Sequence, residues 1–103
     1  MSSFGHNFNM KKLRAEYGIY LQSLRLKANL SQGDVAHKLG YSTAQFVSNW
    51  ERGVSKPPVS SLKQLAKLYG QSPDTFFNHY LESIQKELTL QMKNQFKKMG
   101  MVS

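Results

Sequence analysis

Apolar residues recur at spacings of three and four along most of the chain, which is the period of an α-helix. The first such run predicts a helix from Lys11 or Lys12 to Ala28, with basic side chains between its apolar positions. Asn29 is the predicted stop of this helix. Further runs of the same period follow, and the chain is therefore expected to be all-α.

The segment from residue 30 to residue 53 predicts two short helices separated by a turn. Ser31 is a favourable N-cap for the first, and Gly40 can adopt the left-handed conformation that commonly ends a helix. Ser42 is then expected to cap the second, over residues 42–52. The inward face of this second helix is predicted to hold Phe46, Val47 and Trp50.

Two further helices are predicted after an extended connection that contains Pro57 and Pro58. Ser60 or Ser61 is expected to cap the fourth helix, with Gly70 as its C-terminal signal. A fifth helix begins at the sequence Ser-Pro-Asp of residues 72–74, which combines a cap, a first-turn proline and an acidic group at the positive end of the helix dipole.

The fifth helix has no evident stop before Gly100, so it is about 40 Å long at 1.5 Å per residue. A domain this small cannot cover such a helix, and we expect its distal half to form a subunit interface. The alternative is a core helix that docks near its start and then frays. The residues predicted to contribute to dimerisation are Leu81, Ile84, Leu88, Met92 and Phe96.

The length of 103 residues fits one domain, and the predicted boundaries follow from the helices. Residues 1–10 show no period and are expected to form a flexible arm. Residues 11–78 form the folded domain, and residues 79–103 are its C-terminal helix extension.

The charge balance favours a polyanionic partner, since 14 Lys and Arg residues outnumber 6 Asp and Glu residues and give a formal charge of +8. The absence of cysteine excludes disulfides. No apolar run reaches the length of a membrane span, and the N-terminus lacks the apolar core of a signal peptide. These features predict a cytoplasmic protein without a membrane partner.

Enzymatic activity is poorly supported by the residues available. The three histidines, His6, His37 and His79, are scattered over the predicted arm and two different helices. Phosphate-binding glycine loops, zinc-protease motifs and nucleophile elbows do not occur. We therefore expect no catalytic residues, no metal, no cofactor and no small-molecule ligand.

From about Leu24 to Phe76 the chain resembles the lambda-repressor/Cro class of helix-turn-helix DNA-binding domains. The resemblance rests on Arg25, Leu30-Ser31-Gln32, Val35-Ala36, Leu39-Gly40, the run VSNWERG from Val47, Pro58, Leu62, Leu65-Ala66 and the segment Gly70 to Pro73. It implies a five-helix lambda-repressor-like domain, here with an extended C-terminal helix. One departure is the six residues between Gly40 and Val47 where the common pattern has five. We expect the turn to contain the extra residue.

The resemblance also implies roles for individual residues. Gln45 and Asn49 become the main base contacts, because an amide side chain can pair bidentately with adenine. Further base contacts are implied at Thr43, Ala44 and Ser48, with Ala44 against a thymine methyl group. Phosphate contacts are implied at Gln32, Ser42, Arg52 and Lys56. Arg25 and Glu51 are implied to form a buried structural pair.

Together these features predict a sequence-specific transcriptional regulator of double-stranded DNA. The favoured interpretation is a repressor that binds a pseudo-palindromic operator as a homodimer, with the helix over residues 42–52 in the major groove. An alternative is an antitoxin-type interaction protein whose C-terminal helix binds a partner protein while the same domain represses its own operon. Binding of the basic first helix to a membrane surface is a weaker alternative.

Overall fold

The structure is a computed structural model that describes the backbone of residues 9–102 and the side chains of residues 9–100. It contains five α-helices and one short 3₁₀ turn, and the described residues include no β-strand. The helices are α1 (Met10–Lys27), α2 (Gln32–Lys38), α3 (Gln45–Glu51), α4 (Leu62–Leu68) and α5 (Pro73–Val102), with the 3₁₀ turn at Val59–Ser61. The prediction of an all-α, five-helix domain is confirmed.

The start of α1 shortens the predicted N-terminal arm. Asn9 is the N-cap of α1, where its side chain accepts a hydrogen bond of 3.1 Å from the backbone N–H of Lys12. Met10 is therefore helical rather than part of an arm. Residues 1–8, which make up the rest of the predicted arm, lie outside the described residues.

Two of the predicted start signals act as expected. Ser31 and Asp34 form a reciprocal capping box at the start of α2, and the hydroxyl of Ser72 accepts a hydrogen bond from the backbone N–H of Thr75 in α5. Ser61 occupies the N-cap position of α4, which was one of the two predicted caps, but its side chain makes no capping hydrogen bond. Ser61 also ends the 3₁₀ turn, and its hydroxyl donates to the carbonyl oxygen of Pro58.

The hydrophobic core lies where α1 crosses α3 and α5, with α2 and α4 closing its sides. Its most deeply buried side chains include Leu21, Val35, Val47, Leu65 and Phe76. Each of the five helices contributes one of these side chains. Burial of these apolar groups is the main favourable contribution to the free energy of folding.

Gly18 allows α1 and α3 to approach more closely than any larger residue would permit. A Cβ atom at this position would lie 2.2 Å from the backbone oxygen of Glu51 and 2.9 Å from that of Trp50. The backbone of α1 therefore rests directly on the C-terminal end of α3. This contact fixes the orientation of α3 against the rest of the domain.

The first half of α5 is docked and the second half extends away from the core. Phe76 and Tyr80 are buried, and the Tyr80 hydroxyl donates a hydrogen bond of 2.9 Å to the carbonyl oxygen of Pro57. Beyond Leu90 nearly every side chain is exposed, and the helix passes through Gly100 to end at Val102. A 30-residue helix is about 45 Å long, which agrees with a longest molecular dimension of 52 Å.

Candidate nucleic-acid interface

The extra residue before α3 lies in the turn, as expected. Residues 41–44 are non-helical and α3 begins at Gln45, three residues later than predicted. Ser42 is exposed and does not cap the helix, so that prediction is wrong. The hydroxyl oxygen of Thr43 instead accepts a 3.3 Å hydrogen bond from the backbone N–H of Gln45, while Ala44 occupies the N-cap position without a side-chain bond.

The outward face of α3 is a chain of hydrogen-bonded polar side chains. Gln45 Nε2 donates to Asn49 Oδ1 at 2.9 Å, and Arg52 Nη2 donates to the same oxygen at 2.6 Å. Arg52 Nε lies 3.3 Å from the hydroxyl oxygen of Ser48. Because these bonds restrict the side-chain rotamers, the polar groups are held in a defined arrangement before any ligand binds.

These bonds use the Nε2 atom of Gln45 and the Oδ1 atom of Asn49, and they leave the other polar atom of each amide for further hydrogen bonds. The Asn49 Nδ2 group donates and the Gln45 Oε1 atom accepts, so the pair presents both kinds of hydrogen-bonding group. Base edges in the major groove offer complementary acceptors and donors. The arrangement is therefore chemically suited to contact bases.

The prediction that Phe46 points inward is wrong. Val47 and Trp50 are buried, but 53% of Phe46 remains exposed because it lies at the edge of the narrow buried face of α3. Phe46 lies against Tyr41 of the preceding turn, with ring centroids 4.9 Å apart. Tyr41 in turn meets the edge of Trp50 at 5.9 Å, so the exposed ring is connected to the core.

A buried ion pair between Arg25 and Glu51 connects α1 to the end of α3. Arg25 Nε and Nη2 donate to the two carboxylate oxygens of Glu51 at 2.6 and 2.9 Å. Arg25 Nη1 also donates to the carbonyl oxygen of Leu30, at 2.8 Å. The hydrogen bond to Glu51 raises the pKa of Arg25 above its ordinary value, so the guanidinium stays charged. The pair implied by the sequence resemblance is present.

Gln32 also contacts this ion pair, a contact that the sequence did not predict. Its Nε2 atom donates to Glu51 Oε1 at 2.9 Å, so that the carboxylate joins the first turn of α2 to the last turn of α3. An amide nitrogen has two N–H groups, and this bond uses one of them. The short helices of the motif are therefore held together by polar contacts as well as by apolar packing.

Lys56, in the loop after α3, has a protein partner. Its ammonium group donates to Glu87 of α5 and lies 4.9 Å above the ring of Tyr17. Glu87 also accepts a 3.1 Å hydrogen bond from Arg14 Nε. Because these residues are 31 and 73 positions apart in sequence, no local pattern indicated this cluster. Lys56, for which the resemblance implies a phosphate contact, is therefore paired within the protein.

Two further features limit the chemistry of the described residues. No group of three or more His, Asp or Glu side chains in residues 9–100 is arranged to hold a metal ion. No helix in the described part of the chain is long and apolar enough to cross a membrane.

Comparison with known protein families shows which family the chain resembles. A family model described as helix-turn-helix matches residues 21–76, which is more than half of the chain. The matched region begins within α1, contains α2, α3 and α4, and ends at the buried Phe76 of α5. No curated protein and no solved structure gives a significant match.

Proposed function

Because the chain belongs to the lambda-repressor/Cro-like helix-turn-helix family of DNA-binding transcription regulators, we propose that it is a repressor that binds a pseudo-palindromic operator as a homodimer in the cytoplasm. The observation that carries the proposal is the outward face of α3, where Gln45, Asn49 and Arg52 form one hydrogen-bonded row. A bound repressor of this kind excludes polymerase from an overlapping promoter.

Base contacts in this proposal come from the row on α3. Gln45 and Asn49 pair with base edges, with Ser48 beside them and Ala44 and Thr43 at the N-terminal end of the helix. A good bidentate contact contributes about 1 to 3 kcal/mol of discrimination against a wrong base. Arg52 contacts phosphate and keeps the Asn49 amide in position through their 2.6 Å hydrogen bond.

Phosphate contacts in this proposal surround the row. Gln32 lies at the start of α2, where free backbone N–H groups favour an anion, and its second amide N–H is directed to phosphate. Ser42 belongs to the exposed turn before α3. Lys56 reaches phosphate only by exchanging Glu87 for it. These phosphate contacts position the domain on the duplex but do not distinguish one base sequence from another.

Selection of bound duplexes from a random pool tests the proposal. We expect a consensus with two-fold symmetry and half-sites about 34 Å apart, one helical turn of DNA. Gln45→Ala should lose discrimination at one or two base pairs, whereas Lys56→Ala should weaken all sequences alike. Failure to enrich any sequence would contradict sequence-specific binding, and an asymmetric consensus would contradict the homodimer.

A second candidate function is an antitoxin-type regulator, which the exposed apolar side chains of α5 also favour. In that case α5 binds an unrelated protein while α3 binds the operator of the same operon. Purification of the chain from its native cells distinguishes the two, because an antitoxin recovers a stoichiometric second protein that is lost when residues 85–103 are deleted.

A further inference from the structure

From Leu81 onward, four residues after the exposed Phe77, the apolar stripe of α5 has a spacing that is the same when counted from either end. Its six members are separated by three, four, four, four and three residues, which places its centre at residue 90. All six are exposed in the single chain. The members of this α5 stripe are Leu81, Ile84, Leu88, Met92, Phe96 and Met99.

From this symmetry we propose that α5 pairs with α5 of a second copy in antiparallel orientation, with the two-fold axis passing beside residue 90. This proposal specifies the partner and geometry of the homodimer in the proposed function. An antiparallel self-pair places residue i opposite residue 180 − i. Leu81 then meets Met99, Ile84 meets Phe96, and Leu88 meets Met92, so that every stripe residue contacts another one.

The charges of α5 favour the antiparallel pair over a parallel one. Residues 81–89 contain two glutamates and one lysine, whereas residues 91–99 contain three lysines and no acidic residue. Glu87 is already paired with Lys56 and Arg14, so an antiparallel pair places the lysine-rich half of one helix beside the half of the other that carries Glu82 and Lys86. A parallel pair would bring the two lysine-rich halves together, at an electrostatic cost.

The stripe is also accessible while the domain remains folded. The α5 side chains that turn toward the domain beyond Tyr80 are Ser83, Glu87 and Leu90, which are half-buried and lie on the other side of the helix. A second copy can therefore cover the stripe without displacing Glu87 from Lys56 and Arg14.

The proposed geometry separates the two DNA-binding domains by a suitable distance. Phe76 and Tyr80, which anchor α5 in the core, lie 14 and 10 residues from residue 90. At 1.5 Å per residue, equivalent anchors in two antiparallel copies lie about 30 to 42 Å apart along the helix axis. Successive major grooves on one face of DNA are about 34 Å apart.

Engineered cysteines test the orientation, because the chain has none of its own. Two single variants of the full chain, Ile84→Cys and Phe96→Cys, are oxidised separately and as a mixture. In the antiparallel pair residue 84 is about 18 Å from its own copy, beyond the reach of a disulfide, so only the mixture should form a cross-linked dimer. Cross-linking of each variant by itself would overturn the antiparallel geometry.

Analytical ultracentrifugation of the wild-type chain and two matched variants tests whether the α5 stripe is the dimer interface. Leu88→Glu should convert a dimer to a monomer, whereas Leu90→Glu, the same change on the other side of α5, should leave the dimer intact. A wild-type monomer at 100 µM, a concentration chosen as about 100 times a micromolar Kd, would overturn the pairing. Enrichment of a DNA site by such a monomer would leave the DNA-binding function standing, so the two failures are distinguishable.

A separate observation concerns Phe46, whose ring is exposed at the edge of the polar face of α3 and is held by Tyr41. We infer that Phe46 contacts a thymine methyl group in the major groove, an apolar contact that phenylalanine makes with this base. This inference rests on the proposed function. Because residue 46 lies three positions before Asn49, both side chains reach neighbouring base pairs when α3 lies in the groove.

Replacement of thymine by uracil in the selected duplex tests this contact, since it removes only the methyl group. For the wild-type chain, uracil at one position in one of the two half-sites should weaken binding about fourfold, the value of one buried methyl group. Phe46→Ala should bind thymine and uracil equally at that position and keep its other preferences.

The control is Ile19→Ala, which shortens an exposed apolar side chain on a different helix, α1. This variant should still bind the uracil duplex about fourfold more weakly than the thymine duplex. An unchanged uracil effect in Phe46→Ala, or no uracil effect in the wild type, would overturn the contact. Both of these outcomes can be observed only if the chain binds the duplex, so they are distinguishable from a failure of the proposed DNA-binding function.

Discussion

Arg25 and Glu51 form a two-point ion pair in which the side chains are only 9% and 3% exposed. The pair connects the last turn of α1 to Glu51, the last residue of α3, and Gln32 adds a third donor to the same carboxylate. The orientation of α3 therefore depends on a polar contact that is shielded from water. Removing only one partner of such a buried pair strongly destabilises the fold, because the other charge is left unpaired.

Glu51→Ala should lower the free energy of unfolding by about 3 to 5 kcal/mol, because it leaves the Arg25 guanidinium buried without its anion. Urea denaturation measures this loss. The double variant Arg25→Met/Glu51→Leu serves as the control and should recover much of the stability, since apolar replacements leave no unpaired charge. A change below about 1 kcal/mol in Glu51→Ala is the behaviour of an exposed pair and would contradict the structure.

Gly18→Ala should destabilise the domain, because the added Cβ would lie 2.2 Å from the backbone oxygen of Glu51. A backbone atom, unlike a flexible side chain, cannot move away without shifting the helix. Overpacking of this kind costs about 1 to 3 kcal/mol or more. Thermal unfolding measures the cost. Gly33→Ala is the control, because its Cβ meets only Ser31 Oγ at an ordinary 3.7 Å and alanine favours helix. Equal melting temperatures for the two variants would argue against the close helix crossing.

Glu87→Gln should increase DNA affinity on specific and random duplexes alike, because it releases Lys56 and Arg14 from an internal anion. If each released cation gains one phosphate, the slope of log affinity against log salt steepens by about 0.9 per contact. Fluorescence anisotropy at several salt concentrations measures both effects.

The control for this experiment is Glu82→Gln, which makes the same change of net charge one and a half turns earlier on α5. Its effect on affinity should be smaller, since Glu82 makes no hydrogen bond to Lys56 or Arg14. Identical gains from both variants would show that net charge alone is responsible and that Glu87 does not compete with phosphate.

The stability of the domain should fall as pH rises above about 10. Burial raises the pKa of Tyr17 and of Tyr69 well above the ordinary tyrosine value, so the folded chain keeps protons that the unfolded chain releases. Their contribution is complete below pH 10 and decreases above it by about 1.4 kcal/mol per pH unit for each tyrosine. Urea denaturation at pH 8 to 11.5 measures this decrease.

Tyr17→Phe isolates one of these groups, because the Tyr17 hydroxyl has no hydrogen-bond partner among the described residues. The variant should be as stable as the wild type or more stable at pH 7, since it removes a buried unsatisfied hydroxyl. Its stability should decrease less steeply above pH 10. An unchanged alkaline slope would show that Tyr17 ionises normally in the folded chain.

The sequence alone predicted the features that depend on near neighbours in the chain. Helical spacing of apolar residues identified five helices, and the caps at Ser31 and Ser72 act as expected because capping bonds span only three residues. The family resemblance, carried by motif residues at fixed offsets, is confirmed by the match over residues 21–76.

The start of α3 was the least accurate local prediction. Ser42 has the chemistry of a cap, but the turn that follows Gly40 needs residues 41–44 to lead into the helix. Phe46 then falls at the edge of the buried face rather than within it. The burial of Phe46 was overestimated because it lies about 100° around the helix from Val47, outside the narrow buried face of Val47, Trp50 and Glu51.

The sequence by itself determined the all-α fold class, the position of the helix-turn-helix and the choice of α3 as the helix with a polar outward face. The tertiary structure decided which partners those residues have. It paired Gln32 with Glu51, placed Lys56 against Glu87 and let Gly18 bring two backbones together. The reason is physical: helix periodicity is set by residues three or four apart, whereas these contacts join residues 19 to 33 positions apart, which only the packed core brings together.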